Sequence, residues 1–468
     1  MDKAPPRKRS QADTDAQDAR LKRFGTAGDK PLLRKAKPSD QASARRAAQR
    51  ALHLILDRQV ALEEALSGSA EWQKLSPRDR AFARLLVATA LRRLGQIDDA
   101  LGQLVQKRPE GRDAYVWQVL RIGAAQLLFL DVPAHAAVDQ AATMTRGAGM
   151  KAMVNAVLRK IAGQRHELLR AQDPGKLNLP EWLWRSWCDA YGEEQARAIV
   201  QAQMEEPPLD LTMVADADPV VWAERLGGRV LPNGSVRLAK AKRVPTLEGF
   251  AQGVWWVQDA AATLPVKLLG GLQGKRVIDL AAAPGGKTLQ LAAAGAEVTA
   301  VDQSRERLER LFENLERMSL SADTEVADAR HYRVKEPVDA VLLDTPCSAT
   351  GTARRHPDVV WNKSAEAIAS LTQVQDALLK NAAAMVKPGG MLIYACCSLQ
   401  PEEGAKRIDA FLRRRAAWSR EPVRPSELPG CTEFITEDGD LRTLPCHWPG
   451  AGGIDGFYVA RLVHRPAA

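Results

Sequence analysis

Residues Arg276–Thr288 read RVIDLAAAPGGKT, an apolar strand followed by a glycine turn and the start of a helix. The glycines at 285 and 286 let the backbone of this turn approach a ligand closely and leave N–H groups free to bind it. The turn lacks the GxGxxG spacing of dinucleotide-binding folds, so it fits a dinucleotide poorly. The stretch therefore predicts the first strand–turn–helix unit of a nucleotide-type α/β domain.

The rest of the carboxyl-terminal half alternates apolar strands with helices. Further strands are predicted at 297–302, 324–328, 338–344 and 389–398, with a closing strand near the chain end. Such alternation indicates βαβ units and a mainly parallel sheet. Ligands of such sheets bind at the carboxyl ends of the strands, which is where a site is expected.

Acidic residues stand at successive strand ends. Asp302 closes the second strand, where a carboxylate can accept hydrogen bonds from both ribose hydroxyls. Asp328 closes the third strand and is placed to receive an adenine amino group. Each acidic residue taken alone could simply cap the following helix. Several acidic strand ends that follow a glycine turn in register are more specific. They fit adenosine with a compact tail that carries no phosphate, such as S-adenosylmethionine.

Two cysteines follow the fourth and fifth strands, Cys347 in Asp-Thr-Pro-Cys and Cys397 in IYACCS. We expect these strands to be neighbours, so both thiols should face one pocket beside the cofactor. A lone buried cysteine usually packs as a small hydrophobic residue, but a pair suggests chemistry. A thiolate that adds to carbon 6 of a pyrimidine makes carbon 5 nucleophilic enough to accept a methyl group. One cysteine would add to the ring and the other would assist proton removal and release.

A second pair of polar residues supports this chemistry. A free thiol has a pKa of about 8.5, so the site needs a nearby cation to form a thiolate at neutral pH. Lys287, which follows the glycine turn, is the candidate. Asp344, at the end of the fourth strand, is expected to hold or donate a proton at N3 of the base and so to stabilise charge in the ring.

The chain before the glycine turn follows other patterns. Apolar residues recur at three- and four-residue steps from Ala42 to Ala162, which predicts a helical bundle with helices at 77–94, 113–130, 134–145 and 150–163. The run PEWLWRSW (180–187) opens a helix, and a Pro-Asn-Gly turn at 232–234 indicates short strands. Its tryptophans, Trp182, Trp184 and Trp187, either pack a domain junction or stack on RNA bases.

Charge and cysteine content limit the class of protein. The net charge is +9, and residues 1–50 hold 14 Lys and Arg against 6 Asp and Glu, so the excess belongs to a basic tail. That tail, predicted to be disordered, either binds a polyanion or keeps the chain in solution. The six cysteines form no CxxC pair, so we expect no metal and a reducing, cytoplasmic setting. No apolar run reaches the ~18 residues of a membrane span.

Three motifs in the α/β half carry a family resemblance: AAAPGGKT (281–288), DTPCSATGTARRHPD (344–358) and YACCSLQPEE (394–403). They resemble those of the RNA cytosine-C5 methyltransferases of the Nop2/Sun (Fmu) family. RIGAAQLLFLDVPAHAAVDQA (121–141) and MVNAVLRK (153–160) are similar to the RNA-binding domain of the antitermination factor NusB. The resemblance covers about residues 42–468 and implies methyl transfer from S-adenosylmethionine to C5 of a cytosine in 16S ribosomal RNA.

The resemblance also assigns residues. It makes Cys397 the nucleophile and Cys347 the residue that assists release, with Asp344 and Lys287 beside them. It places the cofactor on Ala281, Ala282, Ala283, Pro284, Gly285, Gly286, Lys287, Asp302, Asp328 and Asp344. Arg354, Arg355 and His356 either hold RNA phosphate or shape the loop over the target base.

Three positions depart from the family pattern. Ala281 stands where the family usually has cysteine, which a turn lined by backbone should tolerate. Cys396 replaces the usual threonine and so creates tandem thiols. The segment TMVAD (212–216) departs from a Leu-Arg-Val-Asn-like segment, which puts a substrate-side arginine contact in doubt.

These observations predict a multidomain chain. A disordered basic tail (1–40) precedes an all-α NusB-like bundle (41–165), a small α+β linker domain (166–250) and a Rossmann-like class I methyltransferase domain with a mainly parallel seven-stranded sheet (251–468). We expect a monomer that acts on 16S ribosomal RNA, naked or in an early assembly intermediate, and no membrane. The alternatives are a transfer RNA substrate, which would leave the catalytic residues unchanged, a non-catalytic RNA- and protein-binding adaptor, and an amino-methyltransferase, which would require an aromatic residue in place of Cys347.

Overall fold

A computed structural model describes residues 38–239 and 243–466 of the 468-residue chain, with side chains from residue 43 onward. The predicted disordered tail (1–40) lies outside the described residues except for its last three, which begin the first helix. None of the described helices combines the length and apolar character needed to cross a membrane.

The amino-terminal part is helical. Its helices are α1 (Pro38–Arg58), α2 (Leu62–Ser67), α3 (Ala70–Gln73), α4 (Pro77–Arg92), α5 (Leu94–Gly102), α6 (Tyr115–Phe129), α7 (Ala134–Thr143), α8 (Ala148–Gly163), α9 (Arg165–Ala171), α10 (Pro174–Leu177), α11 (Glu181–Tyr191) and α12 (Glu193–Gln203). The helices predicted at 77–94, 113–130, 134–145 and 150–163 are confirmed as α4, α6, α7 and α8.

Helix α6 is the centre of the bundle because it is apolar on nearly all of its faces. It packs against α4, α5, α7 and α8, and thirteen of its fifteen residues are buried. Gly123 allows α8 to approach closely, since a Cβ at this position would lie 2.4 Å from a side-chain carbon of Leu158. An all-round apolar helix is stable only inside such a core.

A small antiparallel sheet follows the helices. It contains β1 (Leu209–Met213), β2 (Arg229–Val230), β3 (Val236–Leu238) and β4 (Trp255–Val257) in the order β2-β3-β1-β4, together with helix α13 (Pro219–Leu226). Strand β4 lies just beyond the predicted linker boundary at residue 250, and it pairs with β1 of this sheet. Trp255 of β4 is buried against Leu211 and Val236, a contact that a three-residue strand does not reveal in sequence.

The carboxyl-terminal half is built on a larger sheet. Its strands are β5 (Arg276–Leu280), β6 (Glu297–Asp302), β7 (Asp323–Val326), β8 (Val338–Asp344), β9 (Val386–Cys396), β10 (Trp418–Arg420), β11 (Leu441–Thr443) and β12 (Phe457–His464). Its helices are α14 (Leu264–Lys267), α15 (Gly286–Ala293), α16 (Arg305–Met318), α17 (Ala365–Ala384) and α18 (Ala405–Arg413).

The order of this sheet is β10-β12-β9-β8-β5-β6-β7, and β11 adds to β12 as an eighth strand. The five strands β5–β9 pair in parallel, whereas β12 runs antiparallel to β9, β10 and β11. Successive strand residues alternate between two cores, as Leu342 and Leu343 do on β8. The predicted mainly parallel, Rossmann-like fold is confirmed.

The helical bundle contacts the loop that follows β8. Asp358 in this loop accepts a hydrogen bond from the backbone N–H of Leu62 (3.1 Å), at the start of α2. The indole of Trp361 donates to the Leu91 carbonyl (2.9 Å), at the end of α4. We call residues 354–362, the part of this loop that contacts the bundle, the junction segment. Cys347 lies earlier in the same loop.

Candidate active site

The glycine turn joins β5 to α15 in a conformation that requires glycine. Gly285 has a φ of +105°, which side-chain-bearing residues rarely adopt. A Cβ on Gly285 would also lie 2.2 Å from the Cδ1 of Leu311 in α16. The turn therefore presents its backbone at the carboxyl end of the parallel strands, the usual ligand edge of such a sheet.

Asp302 at the end of β6 holds this turn. Its Oδ2 accepts a hydrogen bond from the Ala283 N–H (3.1 Å), and its Oδ1 accepts one from the Ser304 N–H (2.9 Å). Arg307 lies beside it, with Nη1 3.7 Å from Asp302 Oδ2, and donates a hydrogen bond to the Ala283 carbonyl. The carboxylate thus fixes the turn and faces the adjacent cleft.

A cleft of about 530 Å³ lies between the glycine turn and the two thiols. Six predicted cofactor residues line it, together with both cysteines: Ala281, Ala283, Pro284, Asp302, Asp328, Asp344, Cys347 and Cys397. The cleft wall does not include the other four predicted cofactor residues: Ala282, Gly285, Gly286 and Lys287. They support the turn and the start of α15 instead.

The polar groups of this cleft suit a cofactor without phosphates. Carboxylates accept hydrogen bonds from hydroxyl and amino groups, and their negative charge repels phosphates. The cationic residues at the wall are already engaged. Arg307 bonds the turn, and Arg330 forms a fork with Asp328 whose shortest contact is 2.6 Å. Hydrogen bonds from Arg330 lower the pKa of Asp328 to about 2, so this carboxylate is ionised at neutral pH. The chemistry of the cleft fits S-adenosylmethionine.

Asp279 on β5 supports the same turn, a role that was not predicted from the sequence. Its Oδ2 accepts a hydrogen bond from the Thr288 hydroxyl (2.6 Å), which ties α15 to β5. Its Oδ1 is buried and has no hydrogen-bond partner among the described residues. Burial raises the pKa of Asp279 to about 7. The sequence shows an acidic residue within an apolar strand. It does not show that the side chain of this residue points into the core.

The two thiols meet at the far side of the cleft. Because β8 and β9 are neighbouring parallel strands, Cys347 and Cys397 leave the sheet at the same edge. Their Sγ atoms are 3.4 Å apart. Cys396, the last residue of β9, is fully buried in the core instead and does not line the cleft. The structure thus brings together in the cleft the two cysteines that the strand order paired, whereas the third contacts Cys347 from the buried side.

The surroundings of the two thiols favour one negative charge on the pair. Hydrogen bonds from the thiols of Cys396 and Cys397 lower the pKa of Cys347 well below that of a free thiol. The bond that Cys397 gives to Cys347 raises the pKa of Cys397, and the positive charge of Lys287 opposes this rise. A proton shift between the two sulfur atoms therefore decides which of them is the thiolate.

Lys287 and Asp344 form a buried ion pair beside the thiols. Lys287 Nζ lies 2.6 Å from Asp344 Oδ2, and the lysine side chain is 9% exposed. Burial alone would lower the pKa of Lys287, but the Asp344 carboxylate raises it above its ordinary value. Lys287, the cation predicted from the sequence, is therefore charged, and its direct partner is Asp344.

Arg354 and Arg355 lie in a buried ionic cluster. Arg354 is 1% exposed, and its Nε lies 3.2 Å from Asp455 Oδ1. Arg355 bonds Asp259 Oδ2 (2.5 Å) and Asp455 Oδ2 (3.0 Å). Despite its burial, Asp259 has a pKa lowered to about 2 by Arg355 and Arg354. The interpretation that these arginines hold RNA phosphate is wrong, because their guanidinium groups are already paired. They shape the loop, whereas His356 stays untested.

The tryptophans of α11 pack a junction. Trp187 is fully buried and donates a hydrogen bond to Gln400 Oε1 (2.6 Å), just beyond the second thiol. Trp182 and Trp184 are partly buried against the same cluster. The packing interpretation is confirmed for Trp187, and stacking of its ring on RNA bases is excluded.

The surroundings of the cleft hold no competing site of the same chemistry among the described residues. Among the described residues, no group of three or more His, Cys, Asp or Glu side chains is arranged to hold a metal ion. A separate cleft of about 770 Å³ lies at the opposite, amino ends of β5 and β6, and no thiol lines it. The chemistry-bearing side chains are therefore concentrated in the cleft that contains Cys347 and Cys397.

Comparison with known proteins finds one family match in each half of the chain. The model of the RsmB/F family of 16S rRNA methyltransferases matches residues 266–463, and that of the NusB family matches residues 42–163. Ribosomal RNA small subunit methyltransferase B of Vibrio vulnificus is 34% identical over 90% of this chain and 100% of its own length. The same enzyme of Cronobacter sakazakii is 34% identical over 84% and 92%, respectively.

Solved structures share the fold at lower identity. The crystal structure of PH0851 covers 92% of this chain and 99% of its own, with a TM-score of 0.69 and 23% identity. NSun6 from Pyrococcus horikoshii, solved with SFG, covers 62% of this chain and 99% of its own, with a TM-score of 0.52 and 18% identity. With the family match, the acidic cleft identifies S-adenosylmethionine as the cofactor. The chain belongs to the RsmB/F family of 16S ribosomal RNA methyltransferases.

Proposed function

We propose that this protein methylates C5 of one cytosine in 16S ribosomal RNA through a covalent bond between Cys397 and carbon 6 of the base. One observation carries the proposal: two thiols lie 3.4 Å apart in the wall of the cofactor cleft. A methyltransferase acting on a nitrogen or a ribose oxygen has no use for a thiol pair. C5 of cytosine, by contrast, is a poor nucleophile until a thiolate adds to the ring.

Each cysteine has a defined part in the reaction. Cys347, whose thiol loses its proton first, takes the proton of Cys397 across their contact. The Cys397 thiolate then adds to carbon 6, and the electron pair of the 5,6 double bond becomes available at C5. S-adenosylmethionine, when bound, supplies the electrophilic methyl group. Water then takes the C5 proton, the electron pair of the C5–H bond restores the 5,6 double bond, and the bond between carbon 6 and Cys397 breaks. Cys347, now a thiol, assists this release by returning its proton to the departing sulfur of Cys397.

Asp344 and Lys287 stabilise charge around the ring. A proton held between Asp344 and N3 of the base stabilises the negative charge that moves into the ring when sulfur adds. Lys287 keeps Asp344 in place through their 2.6 Å contact and favours a thiolate on Cys397. The pair is half enclosed, with Asp344 30% exposed on the cleft side, so a base can reach the carboxylate.

The other parts of the chain position the RNA. A cytosine in folded RNA must leave its stack to reach the cleft, which requires a grip on the surrounding strand. We assign that grip to the NusB-like bundle (41–165) and the linker domain (166–250), with the methyltransferase domain at 251–468. The bundle contacts the junction segment, so RNA held by the bundle is presented next to the loop that carries Cys347.

The test is a methylation map of ribosomal RNA from cells with and without the protein. Bisulfite sequencing should show the loss of one protected cytosine in 16S RNA when the protein is absent. Its return should require the wild-type chain or the matched control Cys188→Ala, whose thiol lies on α11 away from the cleft. Cys397→Ala should not restore it. Unchanged 16S maps with a lost signal in transfer RNA would reassign the substrate, and restoration by Cys397→Ala would refute the covalent mechanism.

A further inference from the structure

A buried polar cluster joins the turns that carry the two thiols, and no step of the proposed reaction uses it. It consists of three hydroxyl residues and one acid: Ser348, Thr350, Ser398 and Glu403. All four side chains are 0% exposed. We call these residues the hydroxyl cluster. Buried polar groups of this kind are costly unless each is hydrogen-bonded, so their arrangement is informative.

The hydroxyl cluster connects the residues that directly follow the cysteines. Ser348 follows Cys347, Ser398 follows Cys397, and their Oγ atoms are 2.9 Å apart. Thr350 Oγ1 lies 3.3 Å from Ser398 Oγ and accepts a hydrogen bond from the Leu399 N–H (3.0 Å). The separation of the two sulfur atoms is therefore fixed from behind by hydroxyl groups as well as by the pairing of β8 and β9.

Glu403 anchors the turn on the Cys347 side. Its Oε1 accepts hydrogen bonds from the Ser348 N–H and from Gln375 Nε2, both at 2.9 Å, and its Oε2 bonds the Ser348 hydroxyl at 2.5 Å. Gln375 also donates to the Pro346 carbonyl (3.0 Å). The residues on both sides of Cys347 are thus held by Glu403 or by its hydrogen-bond partner.

The surroundings of Glu403 give it a second effect. Cys347 and Cys396 face it as titratable groups, and the Tyr394 hydroxyl donates to its backbone carbonyl (2.6 Å). Arg442, on β11, bonds the neighbouring Ser398 carbonyl (2.6 Å). Within the described part of the chain, no cationic side chain forms an ion pair with the Glu403 carboxylate. Burial and the charge of Cys347 both raise the pKa of Glu403.

We propose that Glu403 is a positioning residue for both cysteines: it holds the two thiols in contact through the hydroxyl cluster, and it competes with Cys347 for a single negative charge. A neutral Glu403 allows the thiolate on Cys347, and an ionised Glu403 opposes it. This inference deepens the proposed function and rests on it. Its first test, however, measures the ionisation of the thiols alone and needs neither RNA nor cofactor.

The first test is the pH dependence of thiol alkylation by iodoacetamide in the full-length chain. Trypsin releases residues 336–354 as one peptide with Cys347 as its single cysteine, so mass spectrometry follows this thiol alone. Glu403→Gln keeps the shape of the side chain and removes its charge. We expect the pH of half-maximal alkylation of Cys347 to fall by about one unit, because a competing like charge is lost. The matched control is Glu402→Gln, whose carboxylate is half exposed and pairs with Lys406, and it should leave the midpoint unchanged.

The second test separates the hydroxyl bridge from the charge. Ser348→Ala keeps Glu403 and removes the hydroxyl between the two turns. We expect kcat for RNA methylation to fall about tenfold with KM for RNA unchanged, because the thiols lose their alignment. A Glu403→Gln midpoint that stays constant or rises refutes the competition for charge, and Ser348→Ala with a wild-type kcat refutes the bridge. Absence of methylation activity in the wild-type protein would refute the proposed function. The alkylation result would still test the role of Glu403.

Discussion

The buried arginine cluster provides a quantitative prediction. We expect Arg355→Met to destabilise the chain by about 3–5 kcal/mol, the usual effect of removing one member of a buried ion pair. Arg355 reaches Asp259 at 2.5 Å, Asp455 at 3.0 Å and the Pro208 carbonyl at 3.2 Å. The carboxylates of Asp259 and Asp455 are 6% and 3% exposed, so water cannot replace the lost partner.

The pKa of Asp259 gives an independent estimate of part of this energy. It falls from 3.8 to about 2 beside Arg355 and Arg354, although burial opposes the change. A shift of this size is worth about 2–3 kcal/mol at neutral pH, shared between the two arginines, so the variant loses only the Arg355 share. This stabilisation is present above the ordinary aspartate pKa and is lost as the pH falls toward 2. The remainder of the predicted loss comes from the Asp455 and Pro208 contacts.

The assay is thermal unfolding at neutral pH. For a folding unit of about 200 residues, such as the methyltransferase domain, a loss of 3–5 kcal/mol in the free energy of unfolding lowers the unfolding midpoint by roughly 6–20 °C. The matched control is Arg185→Met, which removes an arginine paired with Glu181 on the surface, where the side chains are 73% and 75% exposed. We expect this control to shift the midpoint by no more than about 2 °C. Equal midpoints for the two variants, or weakened RNA binding by Arg355→Met with full stability, would refute the structural role of Arg355.

Three further predictions concern the site and the bundle. Lys287→Met should raise the pH at which the Cys397 peptide is alkylated by iodoacetamide, since the cation that favours its thiolate is gone, and an unchanged midpoint would contradict this role. Asp302→Asn should weaken S-adenosylmethionine binding in calorimetry by about 10- to 100-fold, because the carboxylate holds the glycine turn. Asp218→Asn, on an exposed helix cap, is its control and should bind normally. Trp361→Ala should cost about 2 kcal/mol, less than a fully buried tryptophan because its ring is partly buried. The lost contact between bundle and junction segment should lower the unfolding midpoint by about 4–8 °C, and an unaltered midpoint would contradict a stabilising contact.

The sequence predicted the thiol pair because its geometry follows from one rule. Neighbouring parallel strands end at the same edge, so a cysteine after β8 and another at the end of β9 must approach each other once the strand order is known. The glycine turn and Asp302 were predictable for the same reason. Each of these features depends on local pattern and on sheet order, which the alternation of strands and helices reveals.

Other features depend on contacts between distant parts of the chain. Arg355 meets Asp259, 96 residues away, and Asp455, 100 residues away, so its sequence neighbours could not show that its charge is already paired. Glu403 looks like an ordinary acidic residue in the first turn of a helix, and its burial becomes visible only when β9 and α17 are packed. The pairing of strand β4 was likewise not predictable, because its partner β1 lies more than forty residues earlier.

The central claim is that the cleft holds two thiols with different tasks on one cytosine. The most direct measurement is denaturing electrophoresis of the Cys347→Ala variant after incubation with 16S ribosomal RNA and S-adenosylmethionine. The account predicts a covalent protein–RNA complex that forms through Cys397, because Lys287 still favours its thiolate and the hydrogen bond that raises its pKa is gone. This complex should be slow to release and should disappear when Cys397 is also replaced by alanine. A Cys347→Ala variant that releases methylated RNA at the wild-type rate, or a complex that persists without Cys397, would contradict it.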